Sequence, residues 1–355
     1  MLTSCHAELV SASDPKLDSK TWGGNGVQFF CFFKCLNLIG GLWYIFGMEQ
    51  ISEIENNLEK QNKTAVVAIV GRPSSGKSTF LNTASGEKIS IISPVPQTTR
   101  NAIKGIVNTS YGQLVFIDTP GYHNSDKKLK LKLKAIAEEQ LSDADLILYL
   151  IDASRECGEE ELAIVNLLLG FKEKLVIAIN KCDLAEAKPE KTRIFLKKFF
   201  GDFSNEKIVE FSAQKDTGIN EVLLQLYKLA PNGQNLYPEE FYTDQEVDFR
   251  IAEIIREQAM NCLFEELPHA LYVEIADLEQ RKNGKELWVR AFIVVERESQ
   301  KGMVIGKGAA MIKHIRIESI KQMRRIFDWR INLDLQVKVH KNWRQKDPIL
   351  GKILK

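Results

Sequence analysis

Residues 71–79 read Gly71-Arg72-Pro73-Ser74-Ser75-Gly76-Lys77-Ser78-Thr79 and satisfy G-x-x-x-x-G-K-[ST]. That spacing suits phosphate chemistry. Glycines let backbone N–H groups turn inward around phosphate oxygens at a helix N-terminus, and Lys77 brings a point charge to the terminal phosphates. The Ser78 hydroxyl is placed to bind Mg²⁺. Asp118-Thr119-Pro120-Gly121 adds a carboxylate that can reach the metal's outer shell and a Gly121 N–H for the γ-phosphate. Asn180-Lys181-Cys182-Asp183 chooses the base, because a carboxylate at Asp183 can accept two hydrogen bonds from guanine N1–H and its exocyclic amine, which adenine cannot offer. Ser212-Ala213 would direct a backbone N–H at guanine O6. Together the segments predict a GTP/GDP site with Mg²⁺, in which Lys77, the ion and the loop amides neutralise charge during hydrolysis.

Such groups need a scaffold that delivers them to one place. Val66–Val70, Leu114–Ile117, Leu146–Ile151, Leu175–Ile179 and Ile208–Phe211 are short apolar runs that read as buried strands. Ser78–Ala84, Lys130–Leu141, Glu159–Leu169, Lys191–Phe200 and Ile219–Leu229 carry helical spacing between them. Strands alternating with helices predict an α/β fold with a mostly parallel sheet, and each motif then falls where a strand ends. Ile103–Ser110 joins through Tyr111-Gly112 to Leu114–Ile117, which predicts one antiparallel hairpin at a sheet edge. The pattern stops at Pro231-Asn232-Gly233, and a second unit is expected as helix, strand, strand, helix, strand: 246–263, 270–278, 286–295, 309–327 and 331–339.

Net charge separates the two ends of the chain. The 355 residues sum to +1, yet Lys285–Lys355 holds 17 Lys/Arg against 7 Asp/Glu, a local +10 that leaves −9 for the remainder. A basic end on an acidic body predicts a polyanion-binding module. The cysteines Cys5, Cys31, Cys35, Cys157, Cys182 and Cys262 form no CxxC pair or metal-spaced set and read as reduced thiols of a cytoplasmic protein.

Gln97-Thr98-Thr99-Arg100, with Ser90–Pro94 before it and Gly105-Ile106 after it, resembles the first switch of the Era GTPases. The resemblance runs from about Thr64 to Trp343 and implies a P-loop G domain followed by an α+β type II KH domain. It implies a ribosome-associated GTPase that assists assembly of the small subunit and binds the 3′ end of 16S rRNA, acting as a monomer. It makes Thr99, or alternatively Thr98, the ligand of Mg²⁺ and the γ-phosphate. It also reads Gly302-Met303-Val304-Ile305-Gly306-Lys307-Gly308-Ala309 as the G-x-x-G loop that clamps RNA. Gly302, Ile305, Gly306, Lys307 and Gly308, with Lys313 and Arg316 on the next helix, are the expected RNA contacts. Ala309 replaces the second glycine, and a helical φ is expected there because the residue opens a helix.

On this alignment 64–231 is the G domain, 232–245 a linker, 246–343 the KH domain and 344–355 a tail. Residues 48–63 are a polar lead-in, and 1–47 an extension of unassigned role. Tyr122 stands where Ras-type enzymes carry a water-orienting Gln, and Ser74 where relatives activated by potassium carry Asn, so slow turnover without potassium activation is expected. Arg72 and Arg100 could act as charge donors in cis, but both are expected to face solvent. The competing reading is a membrane-associated GTPase switch without a direct RNA role, peripheral at the inner membrane. The apolar Val27–Phe46 alone supports it; the Lys127–Lys134 alternation could lie on lipid or on RNA, but reads first as the exposed start of an amphipathic helix.

Overall fold

A computed structural model of the chain describes residues 62–93, 101, 103–118, 141–346 and 349–351. The extension 1–47, Thr98, Thr99, Arg100, Thr119–Tyr122 and the run 127–134 lie outside them.

The first sheet has six strands: β1 (Lys63–Val70), β2 (Ile103–Thr109), β3 (Gly112–Asp118), β4 (Leu146–Asp152), β5 (Leu175–Asn180) and β6 (Ile208–Glu210). They lie in the order β2-β3-β1-β4-β5-β6. Only the β2/β3 pair is antiparallel, at one edge, as the hairpin spacing predicts. The near-continuous apolar runs of β3, β4 and β5 follow from burial on both faces. Alternate residues of β1 feed two cores. Val67 and Ile69 pack with Phe80, Leu114 and Leu226, while Ala68 and Val70 pack with Ile164, Leu168 and Leu196. The helices supplying these contacts are α1 (Lys77–Ser85), α2 (Glu159–Leu168), α3 (Pro189–Phe200) and α4 (Ile219–Leu229). Because β1, β3, β4, β5 and β6 are all parallel, the loops leaving their carboxyl ends gather at one sheet edge, where ligands of open α/β sheets bind.

The second unit runs α5 (Val247–Cys262), β7 (Tyr272–Arg281), β8 (Glu286–Val295), α6 (Glu298–Ile305), α7 (Ala310–Met323) and β9 (Arg330–Val339). β7 and β8 are antiparallel, β8 and β9 parallel, and Ile251, Ile255, Ile315 and Met323 pack on Val289, Ile293 and Leu333. This is the expected α+β, KH-type unit with one more helix. Sequence periodicity does not predict α6, whose eight residues bury only Val304 and so show no apolar stripe. Its start is fixed by Gln300, whose Oε1 accepts the Glu296 and Arg297 N–H groups at 2.9 and 3.0 Å. The last residue of the expected KH domain, Trp343, and Leu350 of the expected tail reach the other face of this sheet. Leu350 and Trp343 are fully buried with Tyr272 and Val294, and the Trp343 indole donates to Ala270 O at 3.0 Å.

Candidate nucleotide site and nucleic-acid interface

The phosphate loop leaves β1 and enters α1 through two left-handed residues, Ser74 (φ 64°) and Gly76 (φ 100°). Gly71 permits a close crossing, since a Cβ there would lie 2.4 Å from Leu150 O on β4. Lys77 is buried and curls back over the loop, donating to Gly71 O at 3.0 Å and Arg72 O at 3.1 Å. Burial holds its ammonium below the ordinary lysine pKa, against the opposing pull of the Asp118 and Glu161 carboxylates.

Ser78 Oγ donates to Asp118 Oδ2 at 2.7 Å, so a hydroxyl from the first turn of α1 and a carboxylate from the end of β3 meet at one point. Hard oxygen donors from a P-loop serine and an aspartate fit Mg²⁺. The structure thus brings Ser78 and Asp118 together. Ser90 joins them, donating to the same Asp118 oxygen at 2.8 Å from a fully buried position. Sequence reasoning placed Ser90 only in the Ser90–Pro94 lead into the first switch and gave it no part in the ion site; its polar side chain between Ile89 and Ile91 carried a further hint.

Asn180 fastens the phosphate end to the base end. Its Nδ2 donates to Ser75 O at 2.9 Å, while its Oδ1 accepts the N–H groups of Lys181 at 2.7 Å and Ala213 at 3.0 Å. The Ala213 N–H, expected to aim at guanine O6, is therefore committed to Asn180. The Ser212 N–H is committed too, to Thr217 O at 2.9 Å. Thr83 on α1 adds a third tie, to Ala213 O at 2.9 Å. Lys181 pairs with Asp152 Oδ2 at 2.7 Å, and Asp183 stands exposed at the rim of the same loop. Burial works against the Asp152 carboxylate, but hydrogen bonds from Lys181 and Ser154 outweigh it and hold its pKa below the usual value.

Arg72 departs from expectation. Instead of facing solvent it is 6% exposed, with Nε 3.2 Å from Glu161 Oε1 and Nη1 on Glu156 O at 3.4 Å. Glu161 is itself fully buried and takes the Tyr149 hydroxyl on its other oxygen; burial raises the pKa of both groups. The cause is legible in α2, where Glu161 shares one helical face with Ile164, Val165 and Leu168, and a carboxylate in an apolar stripe requires a cation.

In the second unit the loop between α6 and α7 carries Gly306 (φ 72°), Gly308 (φ 58°) and Ala309 (φ 61°), with Lys307 and Lys313 exposed beside it. Gly302 and Ile305 lie on α6 just before the turn. Arg316 is half-buried and its Nε donates to Leu333 O at 2.6 Å, which ties it to β9. The helical φ expected at Ala309 is not found. The residue caps α7 from the left-handed region because the chain must reverse there between two helices. Left-handed φ costs an alanine about 1–2 kcal/mol, part of which glycine returns as unfolded-state entropy. Ala309→Gly should therefore raise stability by about 0.5–1 kcal/mol, read as a higher urea midpoint at constant m. A lower midpoint would contradict a left-handed Ala309.

Comparison with known proteins follows the same division. Residues 66–181 match the family model described as 50S ribosome-binding GTPase, and residues 266–344 match that of the KH domain. GTPase Era of Treponema denticola is 61% identical over 290 residues, covering 82% of this chain and 99% of that protein. GTPase Era of Treponema pallidum is 43% identical over 310 residues, covering 82% and 97%. Among solved structures, Era in complex with MgGDPNP and nucleotides 1506–1542 of 16S ribosomal RNA superposes with a TM-score of 0.78 at 32% identity, covering 82% of this chain and 98% of that one. An Aquifex aeolicus Era variant bound to GDP·AlF4⁻ gives 0.77, also at 32% identity and with the same coverage.

Proposed function

This chain belongs to the Era family of GTPases, and from that premise we propose that it is a slow, Mg²⁺-dependent GTP switch whose KH-type unit binds the 3′ end of 16S rRNA during assembly of the small ribosomal subunit. GTP/GDP and Mg²⁺ are its cofactors. One observation supports the nucleotide half above all: the Asn180 carboxamide bonds both Ser75 O and Ala213 N–H, making the phosphate loop and the base loop one rigid piece. Asp183, on that piece, reads guanine. Lys77 meets the terminal phosphates, and Ser78 and Asp118 hold the ion, with Thr99 or Thr98 completing the set. When bound, Mg²⁺ neutralises charge on the transferring phosphoryl group. Gly121 offers its N–H to the γ-phosphate, and Tyr122 in place of a water-orienting Gln keeps turnover slow.

The RNA half rests on the Gly306–Ala309 turn, exposed from Lys307 to Ala309, with Lys313 beside it, within the +10 segment. Phosphate contacts release counterions, so binding of a synthetic RNA of the 16S 3′ end should weaken steeply with salt. Lys307→Ala and Lys313→Ala should each flatten the logarithmic slope by about 0.7. Affinity that is flat between low and moderate salt removes this face as the contact surface. Crosslinking in cells followed by sequencing of the bound RNA tests the whole reading. Enrichment at the 3′ end of small-subunit rRNA is expected, whereas no rRNA enrichment favours the membrane-associated alternative. Among the described residues no helix is long and apolar enough to cross a membrane. Val27–Phe46, on which that alternative rests, lies outside them.

A further inference from the structure

The loop 87–93, between α1 and the first switch, is gripped from three sides. From α1, five residues after Lys77, Asn82 Oδ1 accepts the N–H groups of Ile89 at 2.9 Å and Ser90 at 2.8 Å, and its Nδ2 donates to Ser90 O at 2.7 Å. From the nucleotide site, Asp118 accepts the Ser90 hydroxyl. The third grip comes from α5, the first helix of the KH-type unit. Glu257 is 3% exposed, and its Oε1 accepts both Lys88 Nζ at 2.5 Å and the Ile92 N–H at 2.7 Å. Arg250, on the same helix, reaches Lys88 O at 3.4 Å while stacking against Tyr242 and Phe327, each 5.1 Å from its guanidinium.

Glu257 has no part in either recognised motif, yet it is a buried carboxylate satisfied mainly by groups from the other unit. A buried charge of this kind is strongly destabilised when one partner leaves, so it resists any movement of the loop away from α5. Ser90 and Ile92 are two residues apart on one short segment. Displacing Ile92 from Glu257 moves Ser90, and displacing Ser90 removes one of the two hydroxyls, with Ser78, that hold Asp118 Oδ2. A bonded path therefore runs from the ion-holding aspartate to the first helix of the RNA-binding unit, through Ser90 and Ile92.

We propose that Glu257 is a positioning residue for the nucleotide site. It holds the Lys88–Ile92 loop, and through Ser90 the Asp118 carboxylate, so that nucleotide state and RNA affinity are coupled across this contact. The inference rests on the nucleotide-controlled RNA binding proposed above. Coupling of this kind is reciprocal: whatever factor the GTP form gains in RNA affinity, RNA returns to GTP.

The test uses the full chain with Mg²⁺ and either GDP or GDPNP, titrated into a labelled RNA of the 16S 3′ end, with Glu257→Ala, Glu257→Gln, Lys88→Met and the Gln/Met double variant. Typical coupling gives a GDPNP-to-GDP affinity ratio of about 5–150 for the unaltered protein. Glu257→Ala should bring that ratio within about twofold of one. Glu257→Gln and Lys88→Met should lower it partway, and the double variant no further than either single, because both remove the same ion pair. Without RNA, the Mg²⁺ concentration for half-maximal GDPNP binding should rise several-fold in Glu257→Ala. A loss of stability alone would weaken RNA binding equally in both nucleotides and leave ratio and Mg²⁺ requirement unchanged, which overturns the proposal. A ratio of one in the unaltered protein removes the switch reading itself, whereas an intact ratio in Glu257→Ala removes only the role of Glu257.

Discussion

Replacing Asp183 with Asn should lower GTP affinity by about 10⁴-fold and transfer the preference to xanthosine triphosphate. The magnitude follows from the one hydrogen bond that the substitution turns into a clash. A carboxylate accepts two N–H groups of the base; as an amide it still accepts N1–H but sets its own NH2 against the guanine amine, and two donors facing each other in a closed site cost more than a hydrogen bond is worth. Xanthine carries an oxygen where guanine carries its amine, so the amide introduced by Asp183→Asn can donate to it while still accepting from N1–H. The structure keeps this effect separate from folding. Asp183 is exposed, and the loop around it is fixed by its neighbours, Asn180 through Ser75 and Ala213, and Lys181 through Asp152. Thermal stability should therefore match the unaltered protein while competition between GTP and xanthosine triphosphate inverts. Unchanged guanine selectivity would sink the assignment of Asp183.

What could be read in advance divides along physical lines. Strands buried on both faces announce themselves as apolar runs, so β1, β3, β4 and β5, and with them the placement of Gly71, Asp118 and Asn180 at strand ends, followed from the sequence. Elements held by polar bonds did not. Helix α6 buries a single residue and is defined by the Gln300 bonds to two preceding N–H groups, a signal too small to stand out among eight residues without an apolar stripe. Arg72 is a similar case. Its type suggests solvent, and its burial is dictated by Glu161, nearly ninety positions further on and brought beside it only by the packing of α2 on the sheet. Reading such a pair requires asking of each charge on an apolar face what neutralises it. Ala309 illustrates a third limit. A side chain states a preference for φ, whereas the turn between α6 and α7 imposes one, and here the turn prevails.

The phosphate loop offers the sharper test of how its parts cooperate, through Gly76→Ala set against Gly308→Ala. Both glycines have positive φ, 100° and 58°, so both substitutions bear the backbone cost of about 1–2 kcal/mol that left-handed alanine carries. They differ in what the new methyl meets. At Gly308 nothing lies within 4 Å, whereas at Gly76 the Cβ would sit 2.1 Å from Asn180 Nδ2. Asn180 has no room to yield, being 2% exposed and bonded to Ser75 O, Lys181 N and Ala213 N. Either the carboxamide leaves its partners, stranding buried groups at about 1–3 kcal/mol each, or the loop swings away from Lys77 and Ser78. GDP binding should accordingly fall by about 100-fold or more in Gly76→Ala, with a stability loss well beyond that of Gly308→Ala. Gly308→Ala should bind GDP normally and, beyond its own backbone cost, lose RNA affinity. If the two variants bind GDP alike, the Asn180 lock is not what joins the phosphate loop to the base loop, and Lys77 and Asp118 must be organised from elsewhere.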